Sequence, residues 1–175
     1  MTVAAFYANW ARYNRLVAEA LRVMAPDELA LSAPGTDHWP IWAIAGHTAG
    51  ARVYWLCHVL GEPGAATTPF TDPSGFGWED DLATTRSGAE LAGAYDSTWA
   101  IVAGCLDRWT PAMLDEPRPR EGARGVEYHT RQSILLRMIT HEAYHAGEIA
   151  LIQGIHGRTQ IDLWPAGAHT VPGPA

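Results

Sequence analysis

Thr140-His141-Glu142-Ala143-Tyr144-His145-Ala146-Gly147-Glu148-Ile149 lies inside a run from about Thr130 to Ile155 whose apolar residues recur at helical spacing. Residues four apart on a helix stand one above the other, so His141 and His145 can direct imidazole nitrogens at one shared point. Ile134, Met138 and Ile152 fall on the same face, which predicts that both rings point toward a core. A single inward histidine is most simply a core residue satisfied by hydrogen bonds. Two stacked imidazoles must find partners for four ring nitrogens in apolar surroundings; a divalent metal takes one nitrogen from each, and a carboxylate or carbonyl takes the other. The pair makes at most half a site, and a third ligand is expected from elsewhere in the chain.

On either side of this segment, the spacing predicts three further long helices. Phe6, Trp10, Tyr13, Val17, Leu21 and Met24 give one buried stripe over about Thr2 to Ala25. Pro26-Asp27-Glu28 suits a short extra turn, and Leu31 to Asp37 reads as loop. Pro40 opens the second helix, which runs to about Leu60 with Gly61 as its stop, and its inward stripe is Ile44, His47, Ala51, Tyr54 and His58. Ser87 and Glu90 have the spacing of a capping box, after which Leu91, Tyr95, Thr98, Val102, Cys105 and Trp109 step by three and four through the third helix. Thr110-Pro111 ends it, a single turn follows to Leu114, and Asp115 to Gly125 reads as exposed loop or short hairpin. Thr130 caps the fourth helix, which stops near Gly154 to Gly157.

The expected architecture is therefore all-α, a four-helix bundle with long crossover connections. Residues 1–164 form one domain in this reading, and 165–175 a Pro/Gly-rich tail. The connection from Glu62 to Arg86 keeps its own aromatics, Phe70, Phe76 and Trp78, so it packs over the domain as a crossover or serves as a lid.

Bundles build metal sites from inward side chains on facing helices, and His47 is placed to complete the pair. His58 lies some 16 Å further along the same helix, too far to share an ion with His47, and reads as structural or as lining the far end. Three neutral imidazoles at about 2.0–2.1 Å leave a position open on the ion, the pattern of catalytic rather than structural zinc. Zn2+ is the first choice, with Ni2+, Fe2+ and Mn2+ compatible with the same donors. Glu142 and Glu148 are the nearest candidates for orienting the ligands or shuttling protons, and Tyr144 for a hydrogen-bond donor near the pocket. Closure of the site by a fourth protein ligand, such as His129 or Glu148, would instead favour a non-catalytic metal-binding scaffold.

His141-Glu142-Ala143-Tyr144-His145 also matches H-E-x-x-H, in which the glutamate is the general base of a metalloprotease. The longer metzincin pattern is absent, since Glu148 stands in the glycine position and Leu151 in that of the third histidine. After Gly157 little helix is left to supply a later ligand, and no strand pattern offers an edge for a peptide substrate.

Trp39-Pro40-Ile41-Trp42-Ala43-Ile44-Ala45-Gly46-His47 at the start of the second helix, taken with His141 to Ile149 on the fourth, resembles the DinB family. That family includes bacterial thiol-dependent S-transferases and mycothiol-dependent maleylpyruvate isomerases. The resemblance implies a four-helix bundle, a divalent metal on His47, His141 and His145, and often a homodimer. It favours a metal-dependent enzyme that activates a low-molecular-weight thiol; activation of water, as in a hydrolase, is chemically equally open. Where the family commonly reads Gly-Gln-Ile after the second motif, this chain reads Gly147-Glu148-Ile149, an extra carboxylate beside the site.

Composition narrows the classes. A chain of 175 residues with 47% hydrophobic content is globular, and a formal charge of −7 without a basic cluster argues against nucleic-acid binding. All twelve basic residues are arginine, which excludes a lysine Schiff base and a P-loop grip on phosphate. No apolar run approaches a membrane span, the N-terminal stretch lacks a signal-peptide core, and Cys57 and Cys105 read as reduced thiols, so a cytoplasmic location is expected. The lysine-free, Ala/Gly/Arg/Trp-rich composition points to a G+C-rich bacterial source, which makes mycothiol the first thiol to test.

Overall fold

The computed structural model describes residues 1–35, 38–70, 80–122 and 124–167. Phe76, Trp78 and most of the expected tail, 168–175, lie outside the described residues.

Among the described residues, four long helices carry the core. A single tight turn, Ala4–Tyr7, leads into α1 (Ala8–Val23), and Pro26–Leu29 forms the one-turn α2. Helix α3 (Ile41–Val53) continues as a wider turn, Tyr54–Val59; α4 is Gly88–Arg108 and α5 is Arg131–Ile155. Helix α1 packs on α4, α4 on α3, and α3 on α5. Both late helices start where side chains satisfy free backbone donors. Ser87 accepts from the Glu90 amide while Glu90 accepts from the Ser87 amide at 2.8 Å, and Thr130 and Ser133 make the same exchange at the head of α5. The α4 stripe is buried at every expected position, from Leu91 to Trp109. Burial pushes the Cys105 thiol up to about 12, as suits a small apolar filler. Gly88 lets α4 approach α1, because a Cβ there would collide with the Leu21 carbonyl oxygen.

Two expectations are corrected, while the all-α reading holds in its coarse form: the described residues are mostly helical, and the stretch read as loop or short hairpin is a hairpin, with Arg118–Gly122 and Gly125–His129 paired antiparallel as β1 and β2 and Arg118 opposite His129. Phe6 is exposed, because the tighter winding of Ala4–Tyr7 throws it out of phase with Trp10 and Val17. His58 is also exposed and lines no interior: the wide turn at Tyr54–Val59 takes more residues per revolution, so the α3 stripe rotates away before reaching it. In the long connection, Phe70 is buried as an anchor, and Asp80 reaches His47 on α3. No helix among the described residues is long and apolar enough to cross a membrane.

Candidate metal centre

His47 sits midway along α3, and His141 and His145 are one turn apart on α5; the contact between these helices brings the three rings together. Nε2 of His141 lies 3.0 Å from Nε2 of His47 and 3.2 Å from Nε2 of His145. One nitrogen from each ring falls within 4.8 Å of the other two, and among the described residues no cysteine, aspartate, glutamate or further histidine joins that group. Trp39 meets the His47 ring edge-on, with centroids 5.3 Å apart, and limits its rotation.

Two carboxylates set the tautomers. Nδ1 of His145 donates to Glu148 at 2.8 Å, and Nδ1 of His47 donates to Asp80 at 3.2 Å. Because an ionised carboxylate only accepts, each Nδ1 holds the ring's proton, and each Nε2 presents a lone pair to the space between the rings. Burial lowers the pKa of His47, with the neighbouring His145 second in effect. Burial likewise brings His141 down to about 4, aided by His145 and His47. Two converging lone pairs, with a third nitrogen held neutral beside them, are a donor set that fits a divalent ion. A cavity of about 570 Å3 opens on the His141 side, and a smaller one of about 250 Å3 lies between Trp39, His47, His145 and Glu148.

The other expected site residues separate. Glu148 lies in the site through its bond to His145. Tyr144 lines the larger cavity and is exposed, its ring edge-on to His145 at 5.2 Å. His129 packs edge-on against Trp55 at 5.1 Å, with Nε2 3.5 Å from Glu127, and is not among the three.

Glu142 is a correction. Successive helical residues point about 100° apart, and Glu142 projects from α5 into the core, 2% exposed. Its Oε1 accepts from Nε of Arg52 at 2.8 Å, and its Oε2 accepts from Nη2 of Arg52 at 3.0 Å and from the Trp10 indole at 2.8 Å. Both oxygens are committed to this network, so the H-E-x-x-H reading loses its general base. The true inward stripe of α5 runs through Met138, Glu142, Ala146 and Ile149, with His141 and His145 flanking it.

Arg52, Asn14, Trp10 and Asp80 are the residues whose part the sequence alone did not reveal. Arg52 also donates to Asn14 Oδ1 at 2.7 Å and to the Tyr95 carbonyl at 3.3 Å, and it stacks on the Tyr95 ring. Tyr13 donates to the Glu142 carbonyl at 2.9 Å, so α1, α3, α4 and α5 all meet at this pair. A signal existed for Arg52, the one charged residue between Trp39 and Leu60, which needed a buried partner. Asp80 carried none.

A family model described as the DinB superfamily matches residues 5–149. The chain is similar in fold to a crystal structure of a DinB-like protein from Bacillus cereus, with a TM-score of 0.67 and 19% identity, over 92% of this chain and 96% of that one. The curated proteins include no match.

Proposed function

This chain belongs to the DinB superfamily, and on that premise we propose that it is a four-helix bundle in which His47, His141 and His145 hold a divalent ion, zinc first, for an enzymatic reaction. When bound, the ion would lower the pKa of a thiol or a water and supply a nucleophile near neutral pH. The observation that carries this reading is the convergence of three imidazole nitrogens with no fourth protein ligand among the described residues, beside an open cavity.

The residues of the chain then divide the work. Asp80 and Glu148 hold the Nδ1 protons of His47 and His145 and fix both rings. Glu148, partly exposed beside the smaller cavity, is the group placed to accept a proton released in the site. Tyr144 offers a phenol hydroxyl to a molecule lying in the larger cavity. The proposed reaction is transfer of a low-molecular-weight thiol, mycothiol first, to a small electrophile, with hydrolysis as the other outcome of the same nucleophile chemistry. We also place the protein in the cytoplasm as a homodimer.

The test is metal analysis of purified wild-type, His47→Ala and His145→Ala protein, followed by a screen of the metal-loaded wild type against several biological thiols and electrophiles. Stoichiometric metal in the wild type, its loss in both variants and chelator-sensitive conjugation support the reading. Unchanged metal content in the variants refutes the ligand set. Equal activity with and without metal refutes nucleophile activation, and bound metal without any reaction leaves the scaffold reading standing.

A further inference from the structure

The cavity beside His141 is built asymmetrically. One wall is a single face of α5, where Leu136, Arg137, Thr140, His141 and Tyr144 recur by three and four, and His129 at the end of β2 also lines it. Arg137 is its one formally charged lining residue. The guanidinium carbon sits 4.4 Å from the centre of the Trp55 ring, so its plane is held against an aromatic face. Arg120 also stacks on Trp55, at 5.4 Å, but is neutralised by Glu127 at 2.9 Å. Arg137, by contrast, has no carboxylate partner among the described residues. It stands one turn before His141, about 6 Å along the helix axis, and its charge is one of the influences that disfavour protonation of that ring.

An exposed guanidinium stacked on Trp55, with no carboxylate partner among the described residues and lining the same open cavity as His141, can donate two parallel bonds to a planar anion. We propose that the molecule that reacts at the three histidines carries a carboxylate, and that Arg137 binds it. The single positive charge matches a monoanion, whereas a doubly charged phosphate ester would bring a second charge with no partner in the lining. Leu136 and the Tyr144 ring, both exposed, add apolar surface to the same cavity. This rests on the three histidines being the reacting centre, so the test reads the arginine separately.

Ligand-observed NMR titration of the full chain with butyrate, butyramide and propyl phosphate requires neither metal nor thiol. Wild type is expected to bind butyrate about tenfold or more tightly than butyramide. That preference should vanish in Arg137→Gln and survive in His47→Ala. Butyrate and butyramide binding alike in wild type, or a preference that survives Arg137→Gln, overturns the proposal even where metal and thiol both bind at the histidines. Tighter binding of propyl phosphate than of butyrate overturns the carboxylate assignment. Loss of metal from the wild type alongside a retained butyrate preference would defeat the metal reading and leave the arginine site standing.

Discussion

Replacing Glu142 by glutamine separates a buried structural role for this carboxylate from the protease role that its five-residue motif suggests. The carboxylate is 2% exposed and its main partner, Arg52, is 1% exposed, so solvent screens neither charge. Glutamine keeps the volume and one acceptor oxygen, but its amide nitrogen must then face a donor, either Nε of Arg52 or the pair formed by Nη2 of Arg52 and the Trp10 indole. Breaking a buried ion pair from one side leaves an uncompensated charge, at a cost of about 3–5 kcal/mol. For a chain of this length each kcal/mol lowers Tm by roughly 2–4 °C, so the expected fall is roughly 6–20 °C by calorimetry. Metal content at a temperature where the variant is folded should match the wild type, because the Glu142 carboxylate bonds to Arg52 and Trp10 and to none of the three imidazoles. The double variant Arg52→Met/Glu142→Leu should recover much of the loss, short of all of it because Asn14 and the Tyr95 carbonyl lose a donor. A Glu142→Gln protein as stable as wild type, with activity alone abolished, would refute the buried-pair assignment and restore the glutamate as a base.

Other expectations follow from the same geometry. Asp80→Asn and Glu148→Gln should each weaken metal binding about 10- to 100-fold in competition with a chelator, since each replaces the charged, acceptor-only carboxylate that fixes a ligand tautomer by a neutral amide that can also donate. Folding lowers His141 from 6.5 to about 4, so the folded metal-free protein binds fewer protons than the unfolded chain between those values. Its stability is therefore full above about pH 6.5 and declines as pH falls toward 4, and Tm measured across that window should fall more steeply for wild type than for His141→Ala. Gly88→Ala should destabilise by about 1–3 kcal/mol in urea titration, because α4 must back away from the Leu21 carbonyl.

The sequence disclosed the parts whose cause is local. The α4 stripe from Leu91 to Trp109 follows from spacing alone, and the cap at Ser87 from two side chains three residues apart. His141 and His145 announced themselves by a helical turn, and His47 by its place near the start of an apolar helix. What stayed hidden depends on contacts between distant segments or on departures from ideal winding. Asp80 reaches His47 across 33 residues of sequence with no periodicity to mark it. Glu142 looked catalytic because its neighbours are ligands; only the packing of α1 and α3 against α5 shows that Arg52 and Trp10 claim both its oxygens. The wide turn after Val53 rotated His58 outward, and the tight turn before Ala8 did the same for Phe6. The stretch left open between loop and short hairpin resolves to the hairpin, whose reach to His129 stayed hidden because its strands are short, largely exposed and interrupted by Pro119.

Whether three imidazoles from two helices grip one ion decides most of the chemistry proposed for this chain, and X-ray absorption spectroscopy of the zinc-loaded protein addresses it without any knowledge of the substrate. The expected first shell holds three imidazole nitrogens at about 2.0–2.1 Å with the remaining position filled by a light atom, and His47→Ala should lose one imidazole contribution or the metal itself. A shell built from cysteine sulfur, or an imidazole count unaltered by that substitution, would contradict it.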